Sequence, residues 1–443
     1  MQDTTLSINF SYEPGRDGDV NERSVFWSSE TTIAWFEKHG YTLYKPEHDD
    51  DPFPHSMIPK FPCDEKIYAG EYPFAAYDTT PGPYVRDVPL RAQLERGKVM
   101  FAQDRQYRHV AIKIVRLETD EYRIYEFLKG QPLETLEANC VLPVLDILPI
   151  NGFAFVVMPR WGSFIMSPPP ATVGQMLQMM RDMLKGLAFL HEHNIIHGDI
   201  STSNFMIDDF RDDLHTANWH LRFRRRREGC ARYAIYDFDL SRKVPQEINR
   251  REYWVWTEPK YTWGTFNVTK DYAQGELEYN PFITDVGSLG VLFSDYFHHM
   301  FPELPILAPF LDMLTTHKLQ RRFTASEALA FFEDFYGNLS EEQLNRRSPP
   351  REYSGLWYYE HDRWASVPPH LAKKWAIYRE PSLSWKTKLL RRLFEYEWMY
   401  YPRVILVRKF LAQIPKTCRA VISLLVPVKS DEARLTFQSQ TKL

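Results

Sequence analysis

Cysteine is scarce in this chain. Only four occur in 443 residues, Cys63, Cys140, Cys230 and Cys418, far apart and without CxxC or Cys/His spacing. That argues against a disulfide framework or a structural zinc site and points to a reducing compartment. An excess of one charge is also missing: 54 Lys and Arg stand against 58 Asp and Glu, a formal net charge of −4. No global field therefore draws the chain to nucleic acid or to anionic membrane, and any such binding must come from a local patch. The most apolar stretch, 404–427, is broken by Arg408, Lys409, Lys416 and Arg419, too many central charges for a transmembrane segment. Met1-Gln-Asp-Thr-Thr has neither the basic start nor the apolar core of a signal peptide. The expectation is an intracellular, cytoplasmic protein, with a nuclear location open.

What is present is ordinary globular composition, 44% hydrophobic and 25% charged. The length allows one large two-lobed domain or two to three domains of ~100–200 residues. Residues 1–80 are an aromatic, proline-punctuated extension in which Thr31–His39 predicts a helix, Gly40 its C-terminal cap, and Tyr41–Tyr44 a strand. The run Asp49-Asp50-Asp51 before Pro52 and Pro54 reads as a solvated loop. Residues 81–160 read mainly as strands (Val110–Val115, Val141–Leu148, Phe153–Met158) with one helix over Arg116–Leu128. Residues 161–338 read as helical, beginning with Val173–His191, where Met176, Met180, Met183, Leu184, Leu187 and Leu190 recur at helical spacing. A basic insertion lies near 210–230, and 339–443 is a linker plus a helical C-terminal extension, including an amphipathic helix over Trp385–Tyr400. Strands first and helices afterwards give an α+β fold class with a β-rich N-lobe and a helical C-lobe.

The chemistry gathers around one lysine. Alternation along Val110–Val115 puts Ala111, Lys113 and Val115 on one face. A buried lysine among apolar neighbours wants a carboxylate or phosphate; on an edge strand it simply reaches solvent. The following helix offers Glu118, Glu121 and Glu126. Then His197-Gly198-Asp199 and Asn204 follow the long helix, and Tyr236-Asp237-Phe238-Asp239 follows a short strand. Oxygen-bearing side chains at such strand and loop ends suit a magnesium–phosphate site.

Val110-Ala-Ile-Lys113, His197-Gly-Asp199, Asn204, Asp237-Phe238 and Asp285-Val-Gly-Ser-Leu-Gly290 together resemble the protein kinase signature set, in order and at compatible spacing. The resemblance covers roughly residues 85–337, and the wording is similar to the divergent kinase-like proteins of mushroom-forming fungi. It implies a two-lobed protein-kinase-like fold and ATP with Mg2+ as cofactors. Lys113 would hold the α/β-phosphates and pair with Glu121. Ala111 and Met158 would line the adenine pocket, ahead of a hinge at Pro159-Arg160-Trp161 with Arg160 at the nucleotide. Asp199 would accept or orient the proton of the attacking hydroxyl, and Asn204 and Asp237 would hold magnesium. Asp285 would brace the catalytic loop, and Arg322 matches a structural arginine.

Departures from the pattern leave three functions open. Of the glycine-rich loop only Gly97 remains. Gly198 replaces the arginine before the catalytic aspartate, Ser201 the lysine near the γ-phosphate, and Asp239 the glycine after Asp237-Phe238. The first reading is an ATP- and magnesium-dependent protein Ser/Thr kinase. The second is a pseudokinase scaffold that binds ATP weakly. The third is a small-molecule kinase of the aminoglycoside or choline type, which shares His-Gly-Asp with a following Asp-x-Asp. The acceptor, whether a protein or a small hydroxylated molecule, is not named by the sequence. The glutamate closing the activation segment is Glu276 or Glu278, and Thr257, Thr262 and Thr265 are candidate phosphorylation sites. His191 and His193 sit at a helix end.

Two basic features receive plain readings. Arg222-Phe-Arg-Arg-Arg-Arg227 is expected to be a solvated loop, giving no strong nucleic-acid signal. The C-terminal helix, with Lys386, Lys388, Arg391 and Arg392 around its apolar stripe, is expected to pack on its own domain.

Overall fold

The computed structural model describes residues 6–8, 10, 20–47, 56–62, 71–78, 90–94, 96–211, 219–256, 267, 269–270, 278–351 and 358–394. The chain divides into two units. The first takes Met1–Gly186, Thr202–Asp239 and Glu341–Arg347, the second Leu187–Ser201, Leu240–Ser340 and Ser348–Leu443. Its class is α+β, with a curled sheet early in the chain and helices dominating after it.

The first unit is built on five antiparallel strands, β1 (Thr42–Leu43), β2 (Val99–Gln103), β3 (His109–Arg116), β4 (Asp146–Ile150) and β5 (Phe153–Pro159), in the order β1-β2-β3-β5-β4. The alternation read from the sequence holds on β3: Val110, Ile112 and Ile114 are fully buried on one face. The opposing wall of that core comes from the N-terminal residues. Helices α1 (Val20–Ser28) and α2 (Glu30–His39) bury Phe26, Trp27 and Phe36 against Phe155 and Val157. The Phe36 and Phe155 rings meet edge-to-face at 4.8 Å. Each such aromatic contributes ~1.5–3 kcal/mol of burial. Helix α2 starts at its Ser29 cap, whose Oγ accepts from the Thr32 N–H, and stops at Gly40, which turns left-handed at φ 90°.

Helix α3 (Asp120–Lys129) begins four residues later than predicted, because the Thr119 hydroxyl caps the Tyr122 N–H. It buries Glu121, Ile124, Tyr125 and Leu128. A short helix, α4 (Leu133–Ala138), follows. The strand expected from Val141 starts only at Asp146. Pro143 has no N–H to give a ladder, and Val141 makes just an isolated bridge to Ile235. Helix α5 (Val173–Glu192) matches the predicted core-facing helix. Its first N–H donates to the Arg346 carbonyl (3.0 Å), so the stretch after the short helix Glu341–Asn345 is tied to its start.

The basic insertion corrects the expectation from sequence. Instead of a solvated loop it forms helix α6 (His220–Arg227), with Arg222, Arg225 and Arg226 buried. Arg222 pairs with Asp209 at 2.8 Å and Arg225 with Asp208 at 2.6 Å. Arg226 donates to the Tyr233 hydroxyl at 2.9 Å. Buried arginines are retained where fixed acceptors meet their planar fork, which these acids and several main-chain carbonyls do.

In the second unit, helices α7 (Pro281–Phe297), α8 (Leu307–Thr315) and α9 (Ala325–Gly337) form the apolar mass. The C-terminal extension is locked onto it through one buried arginine. Arg363 donates to Asp312 (3.1 Å), Thr315 (2.9 Å) and Ser294 (3.1 Å). The Trp364 indole and the Glu380 N–H both reach the other Asp312 oxygen at 2.8 Å. Burial raises the Asp312 carboxyl while Arg363 pulls it down. Arg363→Ala leaves that carboxylate buried without its cation, an expected loss of ~3–5 kcal/mol in chemical denaturation. A loss below half of that range would show the latch to be ornamental.

The helix Trp385–Phe394, expected to pack on its own domain, is partly covered there, with Leu390 and Leu393 half-buried. None of its residues with described side chains is buried, and Trp385 and Leu389 are 71% and 49% exposed. Lys386 interrupts the apolar arc that a core-facing helix needs. The rest of that predicted helix, from Glu395, lies outside the described residues, as do Asp49 to Pro54, Glu276, Thr257, Thr262 and Thr265.

Candidate functional site

Lys113 stands on the face of β3 opposite Val110 and Ile112, beside Ala111. Strands flank β3 on both sides, so the solvent-reaching edge lysine is ruled out. Pairing with β5 sets Ala111 across from Met158 and Lys113 across from Val156. Met158 is buried. The Lys113 side chain is 7% exposed, with Nζ 2.5 Å from Glu121 and 2.6 Å from Asp237. Helix α3 supplies Glu121 from its first turn, where the Thr119 cap fixes the helix start.

Asp237 sits in the left-handed region at φ 67°. That turn carries Phe238 into the interior, edge-to-face on Tyr125 with centroids 5.4 Å apart. Tyr125 lies 5.9 Å from the Lys113 ammonium. The Tyr236 N–H donates to the Asn204 carbonyl at 3.1 Å, tying the residue before Asp237 to Asn204. Asn204 ends the 3-10 turn Thr202–Asn204 and is 5% exposed.

Negative charge dominates around this lysine. Burial pulls the Lys113 ammonium down, but Asp237 and Glu121 override it and hold it well above the usual range. Burial lifts the Glu121 carboxyl, with Lys113 opposing and Asp237 and Asp239 adding to the rise. Lys113 thus faces three acids, Glu121, Asp237 and the exposed Asp239. The donor set suits magnesium, which takes one or two carboxylate or amide oxygens and completes its octahedron with phosphates and water. Among the described residues no group of three or more His, Cys, Asp or Glu forms a ready-made metal cage.

The second unit holds the His197-Gly198-Asp199 loop. Asp285, buried on α7, accepts from the His197 N–H (2.8 Å) and the Gly198 N–H (2.9 Å). His191 Nε2 lies 3.1 Å from the same carboxylate, a partner that its place at a helix end did not disclose. His197 is fully buried, and its Nδ1 accepts from the Asp199 N–H at 3.2 Å. Gly198 has φ 79°, and a Cβ there would lie 2.7 Å from the Leu240 carbonyl oxygen. The loop therefore needs glycine, and the position is more than a lost arginine. Gly198→Ala is expected to lower stability by ~1–3 kcal/mol in denaturant titration; an unchanged midpoint would refute the strained turn. Arg322 is buried and donates to the Thr316 and Ile283 carbonyls and to Thr269. A Cβ at Gly287 would meet its Nη1 at 2.6 Å, which explains that glycine.

Two of the residues singled out from the sequence take unexpected settings. The Arg160 side chain is buried, donating to the Tyr44 hydroxyl (2.9 Å) and to the Leu90 and Arg91 carbonyls. The Tyr44 hydroxyl also lies 2.5 Å from His109 Nδ1, an imidazole pushed down to about 3 by burial and by the nearby Arg160 charge. Gly97 turns at φ 66°, and α1 grips this turn. The Trp27 indole donates to the Gly97 carbonyl at 2.8 Å, and Arg23 donates to the Arg96 carbonyl. The only sequence signal for that grip was the aromatic density of the N-terminal residues.

A cavity of about 410 Å³ also lies in the first unit, lined by Tyr72, Glu137, Asp182, Lys185 and Arg232 among others. It does not include Lys113, Glu121 or Asp237, and it is not the site described above.

Residues 91–293 match the family model of protein tyrosine and serine/threonine kinases. A search of curated proteins found no match.

Proposed function

We propose, from the match of residues 91–293 to the family model of protein tyrosine and serine/threonine kinases, that the chain is an ATP- and magnesium-dependent phosphotransferase, a divergent protein serine/threonine kinase. The observation that carries the reading is Lys113 clamped between Glu121 and Asp237 at 2.5 and 2.6 Å. A scaffold that had given up the nucleotide has no need to keep a buried ammonium between two carboxylates, an arrangement that costs several kcal/mol of desolvation per ion.

Magnesium–ATP, when bound, supplies the γ-phosphoryl group and the metal charge that neutralises it. In this reading Lys113 holds the α/β-phosphates, kept charged and aimed by its two carboxylates. Asn204 and Asp237 hold the metal. Ala111 and Met158 wall the adenine pocket, and Arg160 contributes its main chain, since its side chain is committed elsewhere. Asp199 receives the proton of the acceptor hydroxyl as the phosphoryl group passes to that oxygen and ADP leaves. Its loop is held by Asp285 through the His197 and Gly198 N–H groups. The protein mainly positions groups and balances charge, which is what phosphoryl transfer asks of it. The proposed setting is intracellular and cytoplasmic.

The test offers radiolabelled ATP with protein and peptide pools and, separately, with hydroxylated small molecules. Label on Ser or Thr of proteins is the expected result. Label on small molecules alone would replace the protein-kinase reading by the aminoglycoside- or choline-type one, and no transfer despite nucleotide binding would make the chain a pseudokinase.

A further inference from the structure

We propose that the helix Trp385–Phe394 is a docking surface for anionic membrane, on which it lies flat. At 100° per residue, Trp385, Leu389, Leu393, Leu390 and Phe394 occupy one half of its circumference. Lys388, Arg391 and Arg392 occupy the other half. Lys386 falls inside the apolar arc, its Nζ 5.9 Å from the Trp385 ring, and a side chain so placed can snorkel to the headgroups. The helix has four cations and no acid, and it lies in a chain whose net charge is negative.

Its apolar side is open at Trp385 and Leu389 and half-covered at Leu390 and Leu393. Trp385 and Leu389 are 71% and 49% exposed. The fold also holds the helix where it starts: the Ser384 hydroxyl caps the Thr387 N–H (3.1 Å), four residues after Glu380 is bonded to Asp312 and His317. A latched stem followed by an amphipathic helix with exposed Trp385 and Leu389 is the layout of a surface anchor.

Charge and shape single out lipid among the acidic partners. Nucleic acid would satisfy the cations and leave half a helix of Trp, Leu and Phe in water. Ten residues span ~15 Å, half of a ~30 Å hydrocarbon core, so the helix lies on the bilayer and does not cross it.

The test is sedimentation of the full chain with vesicles of phosphatidylcholine, alone or mixed with phosphatidylserine. Expected is binding to the mixed vesicles that weakens with salt and falls about fivefold for each cation removed in Lys386→Gln, Lys388→Gln, Arg391→Gln and Arg392→Gln. Trp385→Ser with Leu389→Ser also weakens binding, while Lys386→Arg with Lys388→Arg preserves it. Trp385, Lys386, Lys388, Leu389 and Arg392 are exposed, so the melting temperature should not move in their variants. The proposal fails if neither vesicle binds, or if both bind equally. It fails also if the glutamine variants bind like the parent, or if an acidic helix-binding protein or RNA is bound while vesicles are not. Kinase activity plays no part in these readouts, so the proposal stands or falls apart from the phosphotransferase reading.

Discussion

Lys113→Ala is expected to lower the stability of the chain by ~3–5 kcal/mol and to abolish nucleotide binding. The lysine side chain is 7% exposed between Glu121, 9% exposed, and Asp237, 29% exposed. Removing it strands two carboxylates in the interior of the first unit, beside the exposed Asp239 whose charge already bears on Glu121. Part of the loss is recoverable: burial lifts Glu121, so it can take up a proton in the variant and shed its charge. The double change Lys113→Met with Glu121→Leu should therefore be more stable than Lys113→Ala alone, because it removes the stranded charge together with its partner. Urea titration of the three proteins measures this. Equal midpoints for Lys113→Ala and the parent would mean that the cluster is not a coupled buried ion pair.

Asp199→Asn is expected to cut turnover by about 10²–10⁴-fold while leaving magnesium–ATP binding and the denaturation midpoint unchanged. The substitution keeps the side-chain shape. The loop that carries it is fixed by main-chain bonds from His197 and Gly198 to Asp285, none of which involves the Asp199 carboxylate. The acceptor of the hydroxyl proton is lost. A variant that transfers phosphate at the parental rate would remove Asp199 from the proposed role; one that loses ATP affinity would shift its role from the proton to the nucleotide.

How legible this was in the sequence depends on what each residue needed from its surroundings. Period-two alternation on β3 exposes both the buried face and the lysine that departs from it, so Lys113 and its need for a carboxylate were readable before any fold was known. Helix α5 was readable from its apolar repeat. The arginine run on α6 was not: four consecutive cations read as solvent-facing. The signal that Arg222 and Arg225 are buried is the pair Asp208-Asp209 far enough back in the chain to be a tertiary partner. Gly198 looked like a missing arginine, because a residue type does not report a left-handed backbone or the Leu240 carbonyl beside it. The N-terminal aromatics looked like an appendage. Phe26, Trp27 and Phe36 belong to the same core as β3 and β5, a long-range packing that no local pattern encodes. The C-terminal helix was found from its periodicity, but whether its apolar arc was covered could be learned only from the structure.

Every catalytic role proposed above depends on the Lys113–Glu121–Asp237 cluster being a nucleotide site. Calorimetric titration of the full chain with ATP, with and without magnesium, tests that most directly. Binding that requires magnesium and is lost in both Lys113→Ala and Asp237→Ala is predicted; no heat of binding at millimolar ATP, or binding that survives both substitutions, would contradict it.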